Sequence, residues 1–163
     1  MLSKKGAQVR IAAIGGTFDT LHPGHKEYIQ LAFEYADRVI IYVNSDDYVT
    51  PKKSYEVLKF GQRVYQLKNY ISSLGISKDF YEIRQLTELK CVEYDYLNEK
   101  IDLAIITPEY YHLLRRLNQQ RLDAGKNPVM IIVKERTRDT NNSDISSSAI
   151  RHALLEKTQG SLN

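Results

Sequence analysis

Residues 9–25, Val-Arg-Ile-Ala-Ala-Ile-Gly-Gly-Thr-Phe-Asp-Thr-Leu-His-Pro-Gly-His, carry the chain from an apolar run into the start of an amphipathic helix. Val9–Ile14 has strand length, and Pro23 sits where a helix can begin, since the N–H it lacks would find no intrahelical partner there. Ile29, Ala32, Phe33 and Ala36 follow at i, i+3, i+4 and i+7, a stripe that faces a core. Such a strand-to-helix corner predicts an anion site, because helix-start N–H groups and the helix dipole both favour a phosphate. Gly15 and Gly16 read as a tight turn that lets backbone approach the anion, and Thr17 offers a hydroxyl and an N–H. His22 and His25 lie close to one helical turn apart, so both rings can face one ligand. An imidazole N–H can donate to a phosphoryl oxygen, whereas no Cys or carboxylate stands at zinc-like spacing to make a metal site. Asp19 reads as a turn residue that satisfies backbone N–H groups.

Outward from this corner, strands and helices alternate. Val39–Val43 is a second continuous apolar run, as expected of a parallel strand buried on both faces. Asn44–Tyr55 is polar, contains Pro51, and reads as a loop. Phe60, Val64, Leu67, Ile71 and Leu74 predict a helix that Gly75 stops. Phe80–Leu86 predicts a strand, and the charges of Glu82 and Arg84 within it assign it to a sheet edge. Residues 88–99 predict a short helix. Leu103–Ile106 and Val129–Val133 predict two more strands, with a helix between them that Pro108 opens and that ends near Gly125. Lys134–Asp144 is wholly polar and reads as a mobile loop, and Ile145–Lys157 as a helix capped by its serines. The sum is one α/β domain over residues 1–163: an open, Rossmann-like, parallel five-stranded sheet with helices on both faces. Ligands bind such sheets beyond the carboxyl ends of the strands, where strand order reverses, and every distinctive polar residue named here follows a strand.

Composition narrows the function classes. The 163 residues are 42% apolar and 26% charged with a net charge of +3, interleaved rather than gathered in the basic stripe of a nucleic-acid binder. No membrane-length apolar run and no secretory h-region occur, and the lone Cys91 forms no disulfide framework, so a cytoplasmic protein without nucleic-acid or membrane partners is expected.

The string Gly-Gly-Thr-Phe-Asp-x-Leu-His-x-Gly-His resembles the HxGH signature of the nucleotidyltransferase superfamily. It is most similar to the archaeal and eukaryotic phosphopantetheine adenylyltransferases. Ile145-Ser146-Ser147-Ser148-Ala149-Ile150-Arg151 matches a second motif of that family, in the correct order, and the resemblance spans about Ile11 to Arg151. It implies transfer of the adenylyl group of ATP to 4′-phosphopantetheine, giving dephospho-coenzyme A and pyrophosphate, with Mg2+ accompanying the ATP. By the same resemblance His25 stabilises the pentacovalent α-phosphorus, His22 assists at the triphosphate, and Lys52 contacts the phosphates of both substrates, with Lys53 as the alternative. Thr17 serves both substrates, while Gly16, Thr17, Phe18, His22, His25, Asn118, Arg121, Ser146, Ser147 and Ser148 hold ATP. The Asn118/Arg121 pair matches an Asn-x-x-Arg element, preceded by Thr107-Pro108-Glu109-Tyr110, where the family usually has a threonine at the last position.

No enzyme nucleophile is implied, so catalysis would rest on positioning and electrostatic stabilisation. Archaeal FAD synthetases and glycerol-phosphate cytidylyltransferases share the corner and are the nearest alternatives. A non-catalytic nucleotide-binding module and an RNA-binding protein are more distant ones. The chain lacks the Gly-x-x-x-x-Gly-Lys-Ser/Thr loop of a fused kinase. Oligomeric state, and ATP against CTP, stay open at this level.

Overall fold

The computed structural model describes residues 8–49, 56–138 and 141. Lys52, Lys53, Ser146–Ser148, Arg151 and the expected C-terminal helix lie outside the described residues.

Five strands form one parallel sheet: β1 (Ile11–Gly16), β2 (Arg38–Asn44), β3 (Tyr81–Leu86), β4 (Leu103–Ile106) and β5 (Met130–Val133), in the order β3-β2-β1-β4-β5. Between them run α1 (Pro23–Tyr35), the single turn α2 (Asp46–Val49), α3 (Phe60–Ser73), α4 (Leu89–Asn98) and α5 (Tyr111–Asp123). Apolar alternation explains the layers. Ala12, Ile14, Val39, Ile41, Val43, Leu103 and Ile105 point to one face and pack with Ile29, Ala32, Leu67 and Ile71 of α1 and α3. Ala13, Ile40, Tyr42, Ala104 and Ile106 point to the other and pack with Tyr96, Leu114 and Leu117 of α4 and α5. The sheet is thus covered on both sides, as its continuous apolar runs require. Crossovers of one hand place helices on opposite faces when the chain changes direction across the sheet. That change falls between β1 and β4.

Two expectations are corrected. Gly15 and Gly16 do not form the turn. They are the last residues of β1, paired with Tyr42 and Val43, because β2 continues to Asn44 and supplies ladder partners. The abrupt change comes at Phe18, whose φ of 51° lies in the left-handed region that non-glycine residues seldom occupy. Residues 44–55 are also not all loop, since Ser45 starts a helical turn: its Oγ accepts from the Tyr48 N–H and its carbonyl from Val49. The predicted helix over 88–99 and the edge position of β3 are both found. At that edge Arg84 pairs with Glu82, Asp95 and Glu99. No helix among the described residues is long and apolar enough to cross a membrane.

Candidate active site at the strand switch point

β1 and β4 are paired only through Ala12–Leu103 and Ala13–Ala104, although both strands run further. Beyond that point they part. The gap is bridged by Tyr28 of α1, whose hydroxyl donates to the Ile105 carbonyl at 2.5 Å and accepts from the Gly15 N–H at 3.3 Å. Burial raises the Tyr28 pKa beyond the usual phenol range, so the group stays an O–H donor. Tyr28 was not singled out by sequence pattern. The available signal is a tyrosine in the turn after His25, one residue before the apolar stripe.

The two histidines sit directly at the start of α1. His22 is its N-cap, and its Nδ1 accepts from the N–H groups of Gly24 at 3.1 Å and His25 at 3.4 Å. A cap normally comes from a small oxygen-bearing side chain. Here the imidazole does the work, which dictates its tautomer: Nδ1 is unprotonated and the proton resides on Nε2. Desolvation, and then the charge of Lys134, hold the His22 pKa below its ordinary value and keep the ring neutral. The intervening glycine has a steric reason. A Cβ on Gly24 would lie 3.0 Å from His22 Cε1 and 3.1 Å from Nδ1, driving the capping ring away.

His25 uses its Nδ1 in the opposite sense. Nδ1 lies 3.0 Å from the Thr20 carbonyl, which can only accept, so Nδ1 carries a proton. The two rings stack with centroids 3.8 Å apart and planes 22° apart. The ring of Phe18 lies 5.3 Å from that of His25 and is itself fully buried. Phe18 therefore anchors the corner in the core, and its ring presents no surface to a nucleotide. A Cβ on Gly16 would come within 3.3 Å of that ring, which accounts for the glycine there.

Thr17 is positioned from two sides. Its Oγ1 accepts from Asn44 Nδ2 at 3.0 Å, so the hydroxyl keeps its own proton for donation. Its carbonyl accepts from Arg63 Nη1 at 2.7 Å. Arg63 is wholly buried, and its other N–H groups reach the Leu58 carbonyl and Asp46 Oδ1. Asp46 Oδ1 also accepts from the Phe60 N–H. Asp19 was expected to satisfy local turn amides. Its Oδ1 accepts from the Leu58 N–H at 2.8 Å, a residue from the approach to α3. Arg63, Asp46 and Asp19 thus tie the chain after β1, the chain after β2 and the entrance of α3 into one knot.

Asn118 and Arg121 are not brought to this corner. Asn118 clamps Val129 by both backbone groups, donating to its carbonyl and accepting from its N–H, each at 2.8 Å. Arg121 donates to the carbonyls of Asn127 and Tyr96. Both lie in the last two turns of α5 and bond to the approach to β5, at the amino end of the strands, whereas the histidines stand at the carboxyl end. The reason is geometric: α5 begins beside the corner and runs back across the sheet, so its last turns are at the far edge.

Among the described residues no group of three or more His, Cys, Asp or Glu could hold a metal ion. The arrangement offers instead N–H and O–H donors converging on a helix N-terminus at the switch point, the chemistry that receives a phosphate.

Relatives and solved structures agree with this geometry. The sequence profile described as cytidylyltransferase-like matches residues 13–153. A phosphopantetheine adenylyltransferase of Methanosarcina acetivorans is 33% identical over 147 residues, 89% of this chain and 91% of that one. Another, of Methanopyrus kandleri, is 31% identical over 150 residues, covering 92% and 94% of the two chains. A crystal structure of a protein of unknown function from Archaeoglobus fulgidus superposes with a TM-score of 0.63 at 27% identity, over 84% of this chain and 99% of that one. With the profile covering most of the sequence and relatives of this similarity matching nearly end to end, the chain belongs to the cytidylyltransferase-like family, alongside the archaeal phosphopantetheine adenylyltransferases.

Proposed function

We propose that the protein transfers the adenylyl group of ATP to 4′-phosphopantetheine, forming dephospho-coenzyme A and releasing pyrophosphate. The observation that carries this reading is the stacked His22–His25 pair at the start of α1, beside Thr17 and over the parting of β1 and β4. The pantetheine phosphate attacks the α-phosphorus in line and pyrophosphate leaves. No protein nucleophile takes part, so the residues act by positioning and by meeting charge as it develops on non-bridging oxygens.

Each histidine has a distinct part. His22, neutral, donates from Nε2. His25 already donates from Nδ1 to the Thr20 carbonyl, so it donates from Nε2 to a phosphoryl oxygen only as the imidazolium. Thr17 contributes its hydroxyl to the phosphates of both substrates. Lys52 and Ser146–Ser148 complete the proposed site on the strength of their motifs. Magnesium enters with ATP, held by the triphosphate as part of the substrate.

The test is pyrophosphate release from ATP or CTP with 4′-phosphopantetheine, FMN or glycerol 3-phosphate as acceptor. The expected result is turnover with ATP and 4′-phosphopantetheine well above every other combination. Faster turnover with CTP, or with another acceptor, would replace this reading by that of a sister activity.

A further inference from the structure

Lys134, the first residue after β5, was read from sequence as part of a polar loop. Its backbone N–H donates to the Ile106 carbonyl at 2.8 Å, which places it at the carboxyl edge of β4 and β5. From there its side chain, only 16% exposed, reaches across to the first turns of α1. Its Nζ donates to Thr137 Oγ1 at 2.9 Å and lies 3.4 Å from Glu27 Oε2. Thr137 in turn donates to Glu27 at 2.6 Å, and its Oγ1 lies 3.4 Å from where a Cβ on Gly24 would be. Lys134 therefore holds a cation against the turn that contains His22 and His25. Glu27 is 54% exposed and is kept a carboxylate, first by the Thr137 hydroxyl and then by Lys134. A carboxylate that exposed holds a lysine weakly, and the pair separates readily when an anion of higher charge arrives.

We propose that Lys134 is a further phosphate-binding residue of this site, released from Glu27 to meet the pyrophosphate portion of the bound nucleotide. The inference rests on the adenylyl-transfer reading only for the identity of the nucleotide. Glu27 is then a competitor for the lysine. Removing Glu27 and removing Lys134 should have opposite effects on anion affinity, whereas a purely structural latch predicts the same effect from both.

Calorimetry with inorganic pyrophosphate as probe, on the full chain, separates the two. Lys134→Gln should weaken pyrophosphate binding about tenfold and Lys134→Arg should restore most of it. Glu27→Gln, which keeps a partner for Thr137, should tighten binding about two- to threefold. Weakening by both variants, no change in Lys134→Gln, or no measurable pyrophosphate binding by the wild-type chain would each overturn the proposal. Acceptor-dependent turnover of the wild-type protein keeps the two ideas distinguishable. Turnover with both variants weakened sinks Lys134 alone, and opposite effects without turnover sink the adenylyl-transfer reading alone.

Discussion

The corner at the start of α1 and the elbow between α5 and β5 both present polar side chains and both match family motifs. They do opposite things. At the elbow, Asn118 has both ends of its amide bonded to Val129, and Arg121 is held by the Asn127 and Tyr96 carbonyls. At the corner, each imidazole gives one nitrogen, Nδ1, to the backbone, and that bond determines what the other nitrogen can do. The corner also stands at the carboxyl end of the sheet, where β1 and β4 part. A polar side chain engaged on both sides by its own fold holds the fold together. One at the switch point, whose bonded nitrogen fixes the protonation of the other, is oriented for a ligand.

The contrast is tested most severely at His25. His25→Ala is expected to lower kcat by about 10²–10³-fold, roughly 3–4 kcal/mol of barrier, with the KM for ATP changed by less than about threefold. Steady-state kinetics decides, and equal losses in both constants would make His25 a ground-state binding residue. Arg63 lies between the two classes, since it is fully internal yet holds Thr17. Arg63→Met should destabilise the fold by about 3 kcal/mol in denaturant titration, because Asp46 and two carbonyls lose their donor together. Arg63→Lys should recover little of that, as a single ammonium cannot reach three directions. At the elbow, Asn118→Ala should cost about 1–2 kcal/mol of stability and leave kcat and the KM for ATP at wild-type values. A raised KM would show that the elbow reaches the nucleotide after all.

The smallest effect concerns pH. The folded-state pKa of His22 is held below the 6.5 of the free side chain. The unfolded chain therefore binds this proton at a higher pH than the folded chain does. The contribution of the cap is complete above about pH 6.5 and is lost as pH falls through the folded-state value. His22→Asn caps without titrating, so its Tm should fall between pH 7 and pH 5 by about 2 °C less than the wild-type Tm does. Parallel curves would mean that the His22 cap does not govern this limb.

Much of this contrast was legible before any coordinates. Local signals sufficed for the corner, because strand run, glycines, Pro23 and the two histidines are consecutive and their geometry follows from one helix start. Edge placement of β3 followed from Glu82 and Arg84, since charges are costly in a strand covered on both faces. The place of the elbow was not legible, because a motif gives order along the chain and not which edge of the sheet a helix turn reaches. Tyr28, Asp19 and Lys134 were underread for a related reason. Each acts on a residue far away in sequence, Ile105, Leu58 and Glu27, and no spacing rule connects such partners.

Apolar periodicity and helix-start chemistry by themselves determined the five strands, the main helices between them and the helix start at residues 22–25, because both depend on neighbours within a few residues. Strand order, and with it the parting of β1 and β4, was decided only by the tertiary structure. So were the tautomers of His22 and His25, the Arg63 knot, and the approach of Lys134 to Glu27. These depend on which distant segments an open, doubly covered sheet sets side by side, and that is settled by packing the whole chain at once.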